Sequence, residues 1–226
     1  MGSPADSEKS RERLLSAAGE VFAEHGFRHA TVRDICARAG QGLGAVSYHF
    51  GSKESLYAAV MQCAHPASMA TYVASAVAAG RTPEDRLRSY VRVFLEHVFD
   101  ERQPAWQGRL LIHELASPTA ALDTFVRDCV RPHFELLRGI VADLLGPQAD
   151  ETTVVDHCAS VIGQCVFYKQ SRPIIERAMT DRRYDRADLE RLADHIAEFS
   201  LAGLTASRSA LEARVAARPR RASGRR

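Results

Sequence analysis

Cysteine, tryptophan and long apolar runs are scarce in this chain, and each scarcity argues against a class of protein. The 226 residues include five cysteines and one tryptophan. An odd number of cysteines without a Cys-x-x-Cys pair favours reduced thiols over a disulfide framework, which predicts a cytoplasmic location. Apolar runs stay below the roughly 18 residues of a membrane helix, and the first residues are too polar for a secretory signal, so we expect no membrane partner.

Sequence motifs of catalytic and metal sites are also absent. There is no His-Glu-x-x-His motif or cysteine cluster that would hold zinc, and no Gly-x-Ser-x-Gly elbow, phosphate-binding loop or dinucleotide fingerprint. The sequence therefore predicts no catalytic residue, no metal ligand and no cofactor. A helical enzyme would need a constellation of residues that the sequence does not contain, so this interpretation has little support.

Positive charge is too sparse to mark the chain as a nucleic-acid binder by composition. The net charge is only +2, and residues 1–56 hold seven Lys and Arg against seven Asp and Glu. Any DNA contact in that segment must therefore depend on a few placed cations and amides. From Ser207 onward seven arginines face one glutamate, which suits either a disordered, solvated tail or a segment that scans DNA without sequence preference.

The apolar pattern is helical along the whole chain and predicts an all-α fold. Thr82-Pro83-Glu84-Asp85 has the cap, the first-turn proline and the acids of a helix start. Leu145-Gly146-Pro147 and Ser171-Arg172-Pro173 are predicted helix stops. Further helices are predicted over 52–79 with a break at Pro66, 104–116, 119–145 with a kink at Pro132, 151–171 and 186–206.

The most informative stretch is Thr31–Leu56, TVRDICARAGQGLGAVSYHFGSKESL. Thr31 can cap a helix that has Asp34 in its first turn, and Gly40 follows that helix where a left-handed C-cap is common. A glycine-rich turn then leads into the short helix Ala45–Phe50. This layout is typical of a helix-turn-helix that reads the major groove of DNA.

The short second helix has an inner and an outer side. Val46 and Phe50 are four residues apart and can anchor the inner side. The small side chains on the outer side allow a close approach to base edges, through a methyl contact or a hydroxyl hydrogen bond. The residues of the outer side are Ala45, Ser47, Tyr48 and His49.

Lys53 begins the next helix at a place where its charge is unfavourable. Ser52 can cap this helix and Glu54 suits its positive end, but a lysine there opposes the helix dipole. A phosphate at the same place would be welcomed by the lysine and by the free amides. Lys53 either grips a phosphate or extends into solvent.

These residues carry a family resemblance over about Ser10 to Val60. AGQGLGAVSYHFGSKESLY resembles the DNA-binding signature of TetR-family transcriptional regulators, and RERLLSAAGEVFAEHGFRHATVRDICARAG resembles that family's first two helices. Gln41 stands where an apolar residue is usual, and Gly42 where Asn or Ser is frequent. The resemblance implies phosphate contacts from the second helix and Lys53, and base and backbone contacts from the recognition helix. The implied DNA-binding residues are Thr31, Arg33, Gln41, Ala45, Ser47, Tyr48, His49 and Lys53.

The last two long helices are the candidates for a dimer interface. Each has an apolar stripe at helical spacing, and small residues beside one of the stripes would let helices approach closely. An ordinary core within one chain explains the same stripes. The resemblance favours a homodimer, since TetR-family regulators pair their final two helices, and a two-fold dimer would present two recognition helices to two half-sites. The candidate interface residues are Val155, Cys158, Ile162, Val166, Leu192, Ile196 and Phe199.

A pocket for a small, largely apolar effector is expected between the middle helices. GRLLIHELASPTAALD and SVIGQCVFYKQSRPIIERA resemble, more loosely, a CecR-type subgroup of the same family. Aromatic side chains and two polar ones on the middle helices could line the pocket, although each could equally be plain core. They are Phe94, Trp106, His113, Phe125, Phe134, Gln164 and Phe167.

Together these observations predict three regions and a function. Residues 1–56 would form a three-helix helix-turn-helix domain, residues 57–206 a larger helical effector-binding and dimerisation domain, and residues 207–226 an arginine-rich tail. The predicted function is a ligand-responsive repressor that binds a palindromic operator in double-stranded DNA as a homodimer. The alternative is a helical adaptor or small-molecule carrier whose helix-turn-helix no longer reads DNA, which the neutral first domain and Gly42 would suit.

Overall fold

The computed structural model describes residues 4–64, 68–179 and 184–217, and within these ranges every regular element is a helix. The predicted all-α fold is confirmed. The helices are α1 (Pro4–His29), α2 (Val32–Ala39), α3 (Gly44–Phe50), α4 (Lys53–Ala64), α5 (Ser68–Ala78), α6 (Pro83–Val98), α7 (Trp106–Ala116), α8 (Ala120–Phe125), α9 (Arg131–Leu145), α10 (Glu151–Gln170), α11 (Arg172–Ala178) and α12 (Arg186–Ala216). A π-helical turn over Val126–Val130 separates α8 from α9.

Helix boundaries follow the capping signals in most places. At the start of α6, the Thr82 side chain accepts a hydrogen bond from the Asp85 amide at 3.1 Å, and the Asp85 carboxylate accepts one from the Thr82 amide at 3.2 Å. With Pro83 in the first turn, this is the helix start that the sequence predicted. The predicted break at Pro66 lies outside the described residues.

Two prolines affect the helices differently from the prediction. Pro132 does not simply kink one long helix over 119–145, because the chain forms α8, then the π-helical turn, then α9. A proline lacks the amide that would continue the ladder, and a widened turn before it absorbs the mismatch. Pro173 lies near a predicted stop, yet it begins α11, since the first helical turn tolerates proline.

The chain divides into two compact units whose boundaries differ from the predicted domains. The first unit comprises residues 1–70 and 101–132, and the second comprises 71–100 and 133–226. The first unit therefore contains α7 and α8 in addition to α1–α4, although the sequence had placed these two helices in the larger domain. Local apolar patterns mark which face of a helix is buried but not which distant segment buries it.

In the first unit, α7 packs along α1. A Cβ built on Gly19 of α1 would lie 2.6 Å from the indole ring of Trp106, so only glycine permits this approach. Near the other end, α1 is interrupted at Gly26, where φ is 70°, and the His113 ring lies against that glycine. The core of the first unit is thus shared between the N-terminal helices and a segment about 80 residues later.

In the second unit, α6, α9, α10 and α12 are linked by polar contacts. The pairs α6 with α12 and α10 with α12 each have two links, in which residue numbers rise along one helix as they fall along the other, so these pairs are antiparallel. Gln164 on α10 donates to the Ser200 hydroxyl on α12 at 3.3 Å, for example. The other links are Arg86–Asp143 for α6 and α9, Arg88–Glu198 and Arg92–Asp194 for α6 and α12, Arg138–Glu151 for α9 and α10, and His157–Ser207 for α10 and α12.

Helix α12 extends into the segment that the sequence assigned to the arginine-rich tail. Helix α12 continues to Ala216, and Arg208 pairs with Glu212 one turn away at 2.9 Å. Residues 207–216 are therefore helical, because this stretch is rich in alanine and other helix formers. The last five arginines lie outside the described residues. In the described ranges no helix has the length and apolar character needed to cross a bilayer.

Candidate nucleic-acid interface

The caps of α2 and the turn after it have the geometry that the sequence predicted. Thr31 accepts a hydrogen bond from the Asp34 amide at 3.2 Å, and its hydroxyl donates to the Asp34 carboxylate at 2.6 Å. Gly40 has a φ of 63°, the left-handed conformation of a glycine C-cap. The Thr31 hydroxyl proton is thus already used within the helix cap, which limits what it can offer to a phosphate.

Helix α3 presents Ser47 and Tyr48 to solvent, as predicted. Val46 is 1% exposed and anchors the helix, whereas the Tyr48 side chain is 80% exposed. The Arg11 guanidinium of α1 lies 5.3 Å from the centre of the Phe50 ring and covers the end of the helix. The outer side of α3 is therefore free to contact a ligand while its inner side is held by the rest of the unit.

Gln41 and His49 are tied to α1 through a single hydroxyl group, which the sequence did not indicate. The Ser10 hydroxyl donates to Gln41 Oε1 at 3.0 Å and lies 3.0 Å from His49 Nε2. Since a hydroxyl has one proton, the His49 Nε2–H is then the donor to Ser10 Oγ. Both predicted DNA-binding side chains are half-buried, and this contact fixes the turn and α3 on α1.

Lys53 has an environment that neither predicted alternative described. Its ammonium lies 4.6 Å from the centre of the Phe27 ring, a cation–π geometry that restrains the side chain without using its hydrogens. Ser52 caps α4 by accepting from the Ser55 amide at 3.1 Å, as predicted. The lysine is thus held at the start of α4 with its N–H donors still available.

The other cations near the helix-turn-helix differ in availability. The Arg38 guanidinium is 2.8 Å from Glu24 and 3.7 Å from Glu20, and its hydrogen bond lowers the pKa of Glu24. Arg33 is exposed and forms no ion pair with a described residue. Arg33 and Lys53 are therefore better placed than Arg38 to meet a phosphate.

The first unit contains a buried carboxylate, that of Glu114, which the sequence analysis did not predict. Glu114 is 0% exposed and accepts from the Tyr57 hydroxyl at 2.6 Å, from the Thr119 amide at 2.7 Å and from the Thr119 hydroxyl at 2.9 Å. Burial and this hydrogen bond raise the pKa of Tyr57, which keeps the donor protonated. The network joins α4, α7 and the cap of α8.

The seven residues predicted to line an effector pocket are divided between the two units. Trp106, His113 and Phe125 belong to the first unit, where Trp106 and Phe125 are part of the core around α1 and α4. The assignment of these residues to an effector pocket stays a prediction. Phe94, Phe134, Gln164 and Phe167 belong to the second unit, where Phe167 is 57% exposed.

The core of the second unit contains a buried hydroxyl that the sequence analysis did not single out. Tyr90 on α6 is 0% exposed, and its hydroxyl has no hydrogen-bond partner among the described residues. Its ring stacks on Phe94 at 5.8 Å. Burial raises the pKa of Tyr90, and burial also raises the pKa of the nearby Cys158 and Cys165 thiols to about 11 and about 12. These groups are therefore uncharged at neutral pH.

Two histidines of the second unit also lie in a poorly solvated environment. Burial lowers the pKa of His97 on α6 and of His133 on α9, and the charge of His97 lowers the pKa of His133 further. The His133 Nδ1 atom is buried and has no hydrogen-bond partner among the described residues. In the described part of the chain, no group of three or more His, Cys, Asp and Glu could hold a metal ion.

The predicted interface residues separate into a core set and a surface set. Cys158, Leu192 and Ile196 are 0%, 4% and 0% exposed within the single chain. They are buried within the single chain, and their assignment to a dimer interface stays a prediction. Those that remain accessible are Val155, Ile162, Val166 and Phe199, with Phe199 64% exposed.

Known protein families match both parts of the chain. Residues 14–60 match the family described as bacterial regulatory proteins, tetR family. Residues 83–204 match the C-terminal domain of the HTH-type transcriptional dual regulator CecR. The chain belongs to the TetR family of transcriptional regulators. TetR-family membership confirms the resemblance drawn from the sequence and makes the chain a DNA-binding regulator.

The relatives of this chain include a repressor, an activator and a regulator with both effects on transcription. The dual regulator CecR of Shigella flexneri is 26% identical over 192 residues, which are 77% of this chain and 83% of that protein. The repressor AcnR of Corynebacterium glutamicum is 45% identical over 51 residues, 23% of this chain and 27% of its own. The activator FasR of Mycolicibacterium smegmatis is 32% identical over 102 residues, 45% of this chain and 46% of its own.

Solved structures share the TetR-family fold. A transcriptional regulator from Pseudomonas aeruginosa PAO1 superposes with a TM-score of 0.66 at 18% identity, covering 89% of this chain and 93% of that one. FadR of Bacillus subtilis, solved in complex with stearoyl-CoA, has a TM-score of 0.58 at 17% identity, with 85% and 98% covered. At such low identity these likenesses show the fold alone.

Proposed function

We propose that this TetR-family chain is a ligand-responsive repressor that acts in the cytoplasm. It binds a palindromic operator as a homodimer and leaves the DNA when a small, largely apolar effector binds. The observation that best supports DNA reading is the exposed outer side of α3, with Ser47 and Tyr48 in solvent while Val46 and the caps of α2 hold the helix in place.

The structure narrows the proposed DNA contacts to side chains that are accessible. Arg33 and Lys53 would bind phosphates, Ser47 would contact base edges with Ala45 beside it, and Tyr48 would pack on the backbone. Gln41 and His49 are assigned a supporting role through Ser10, and Thr31 the role of a helix cap. These supporting residues would affect DNA affinity by orienting α3.

Salt-dependent binding to an operator selected from random duplexes tests the proposed contacts. Lys53→Ala should weaken binding to every duplex and reduce the slope of log affinity against log salt by about 1, since one phosphate contact is lost. Ser47→Ala should instead alter base preference. Arg92→Ala, an exposed arginine of the second unit, is the matched control and should change neither quantity. Unchanged binding in the Lys53 and Ser47 variants would refute these roles.

The dimer is proposed to form through the exposed apolar side chains of α10 and α12. Phe199 is the most exposed of them, and Val155 and Phe167 lie on α10. Phe199→Glu should convert the dimer to a monomer in analytical ultracentrifugation, because a charge would be buried at the interface. Ile112→Glu, on the exposed side of α7, is the control and should stay dimeric. A dimer that survives Phe199→Glu would contradict this interface.

The effector is proposed to bind in the second unit with its polar group on the Tyr90 hydroxyl. A buried hydroxyl without a partner costs free energy that a ligand hydrogen bond would recover. The buried polar groups described in this unit also include Ser200, Tyr184 and the His133 Nδ1 atom, but no carboxylate, lysine or arginine, so an uncharged effector fits best. FadR of Bacillus subtilis, which shares this fold, was solved with stearoyl-CoA, a ligand with an apolar acyl chain and a charged CoA part.

Two assays test regulation itself. In a reporter strain, deletion of the gene should raise expression from the selected operator if the chain represses, and lower it if the chain activates.

Effector candidates are screened for release of the purified protein from operator DNA; a tenfold loss of affinity corresponds to about 1.4 kcal/mol of coupling. An operator complex that no member of an uncharged apolar library releases would count against the effector proposal.

A helical adaptor or carrier that does not read DNA is the alternative, favoured by the equal numbers of acidic and basic residues in 1–56. It predicts no duplex that binds better than a random one. Specific binding that weakens steeply with salt would exclude it, since counterion release requires phosphate contacts.

A further inference from the structure

The exposed surface around α3 is poor in hydrogen-bonding side chains. Gln41 and His49 could in principle read base edges, but both are tied to Ser10 on α1. Of the side chains that remain on α3, Ser47 and Tyr48 have one hydroxyl each and Ala45 has none. Hydrogen bonds from side chains therefore provide only a small part of any sequence readout by this helix.

Apolar side chains dominate the same surface. Leu43, which immediately precedes α3, is 60% exposed, and Tyr48 is 80% exposed. The Leu43 backbone is fixed, because φ and ψ of −56° and −27° continue the helix and its carbonyl accepts from the Cys36 thiol. Since Leu43 and Ser47 are four residues apart in helical geometry, they lie on one face, a turn from each other.

A leucine in this position has one obvious counterpart in a major groove. The first residues of a recognition helix meet base edges, and thymine is the base that presents a methyl group there. Leucine has no donor or acceptor, so it can distinguish bases only through apolar contact. Resting on the proposed binding of α3 to DNA, we propose that Leu43 contacts the methyl group of one thymine in each operator half-site and makes that methyl a determinant of specificity.

The test removes the methyl group alone. Operators are first selected with the wild-type protein, and each thymine of the half-sites is then replaced by uracil, which keeps the base pair and lacks only the methyl. We expect one thymine per half-site whose replacement weakens wild-type binding about fourfold, or about fifteenfold when both half-sites are changed, the size expected for one buried methyl per site.

Variants assign that effect to Leu43. Leu43→Ala should bind the thymine and uracil operators equally, whereas Leu43→Met keeps an apolar side chain and should retain most of the preference. Arg33→Ala is the control, which should weaken both operators by the same factor. Because the side chain is exposed, Leu43→Ala should melt at the wild-type temperature, and circular dichroism verifies this.

The outcomes separate this proposal from the one on which it rests. Specific operator binding without a thymine whose methyl matters would overturn the role of Leu43 and leave DNA reading intact. If Leu43→Ala keeps the full preference for thymine over uracil, the role of Leu43 is also overturned, and Tyr48 becomes the candidate for the methyl contact. Absence of any specific duplex binding by the wild-type protein would overturn both proposals.

Discussion

Removing the hydroxyl of Tyr57 and removing that of Tyr90 are the same chemical change in two buried sites, and we expect opposite effects on stability. The two rings are 2% and 0% exposed. The Tyr57 hydroxyl donates to the buried Glu114 carboxylate at 2.6 Å, whereas that of Tyr90 has no partner among the described residues. Tyr→Phe keeps the ring and its packing in both cases, so the comparison isolates the hydrogen bond.

The expected magnitudes follow from the partners. A hydrogen bond to a charged group contributes about 1.5–3 kcal/mol, so Tyr57→Phe should lower the free energy of unfolding by that amount, although Thr119 still satisfies part of Glu114. Tyr90→Phe removes an unsatisfied hydroxyl and should be neutral or stabilising, by at most about 1–3 kcal/mol. For a chain of this size the first change corresponds to a fall in Tm of roughly 3–12 °C.

Thermal and urea unfolding of the full-length protein, followed by circular dichroism, would measure both variants in the same buffer. If Tyr90→Phe costs as much free energy as Tyr57→Phe, the hydroxyl of Tyr90 has an internal partner and its proposed role as an effector anchor is lost. If Tyr57→Phe has no effect, the Glu114 network does not stabilise the first unit. A Tyr90→Phe protein that is fully stable but no longer responds to effector would fit both the structure and the proposed function.

Three further predictions concern other contacts. Gly19→Ala should lower stability by about 1–3 kcal/mol in thermal unfolding through collision with the indole ring packed against it, whereas Gly139→Ala, with free space in α9, should not destabilise. Ser10→Ala should weaken operator binding while leaving the salt slope unchanged, because it frees α3 without removing a phosphate contact; a reduced slope would contradict this. Burial lowers the pKa of His133, so the stability that the neutral ring contributes is present above about pH 6.5 and is lost as the pH falls. A His133→Phe protein should therefore lose less Tm than the wild type between pH 7 and 5. An equal loss of Tm in the two proteins would refute the argument.

Local chemistry made the helix-turn-helix predictable. Thr31, Gly40 and Ser52 act through neighbours within four residues, and each has the capping role that the sequence predicted. The same holds for Thr82 and the start of α6. Such signals need no knowledge of the rest of the fold, because the side chain and the backbone group that it satisfies are close in sequence.

The contacts of the site that the sequence missed involve partners that are distant in sequence. Ser10 meets His49 39 residues later, and Tyr57 meets Glu114 57 residues later. Periodicity placed Cys158 correctly on an apolar stripe, but it could not tell whether the same chain or a second copy covers that stripe. Predicting these contacts requires the topology, which a single sequence without relatives does not provide.

The division of each unit into two chain segments limits how this protein can be taken apart or recombined. The backbone passes between the units near residues 70, 100 and 132, so no single cut yields both units whole. A fragment ending at residue 56 or 70 would lack Trp106, Leu110 and Phe125 and would expose the core that they cover. A chimera made by one crossover, with the DNA-binding helices of another protein, would therefore have mismatched core surfaces. A functional chimera needs residues 101–132 and α1 from the same parent protein.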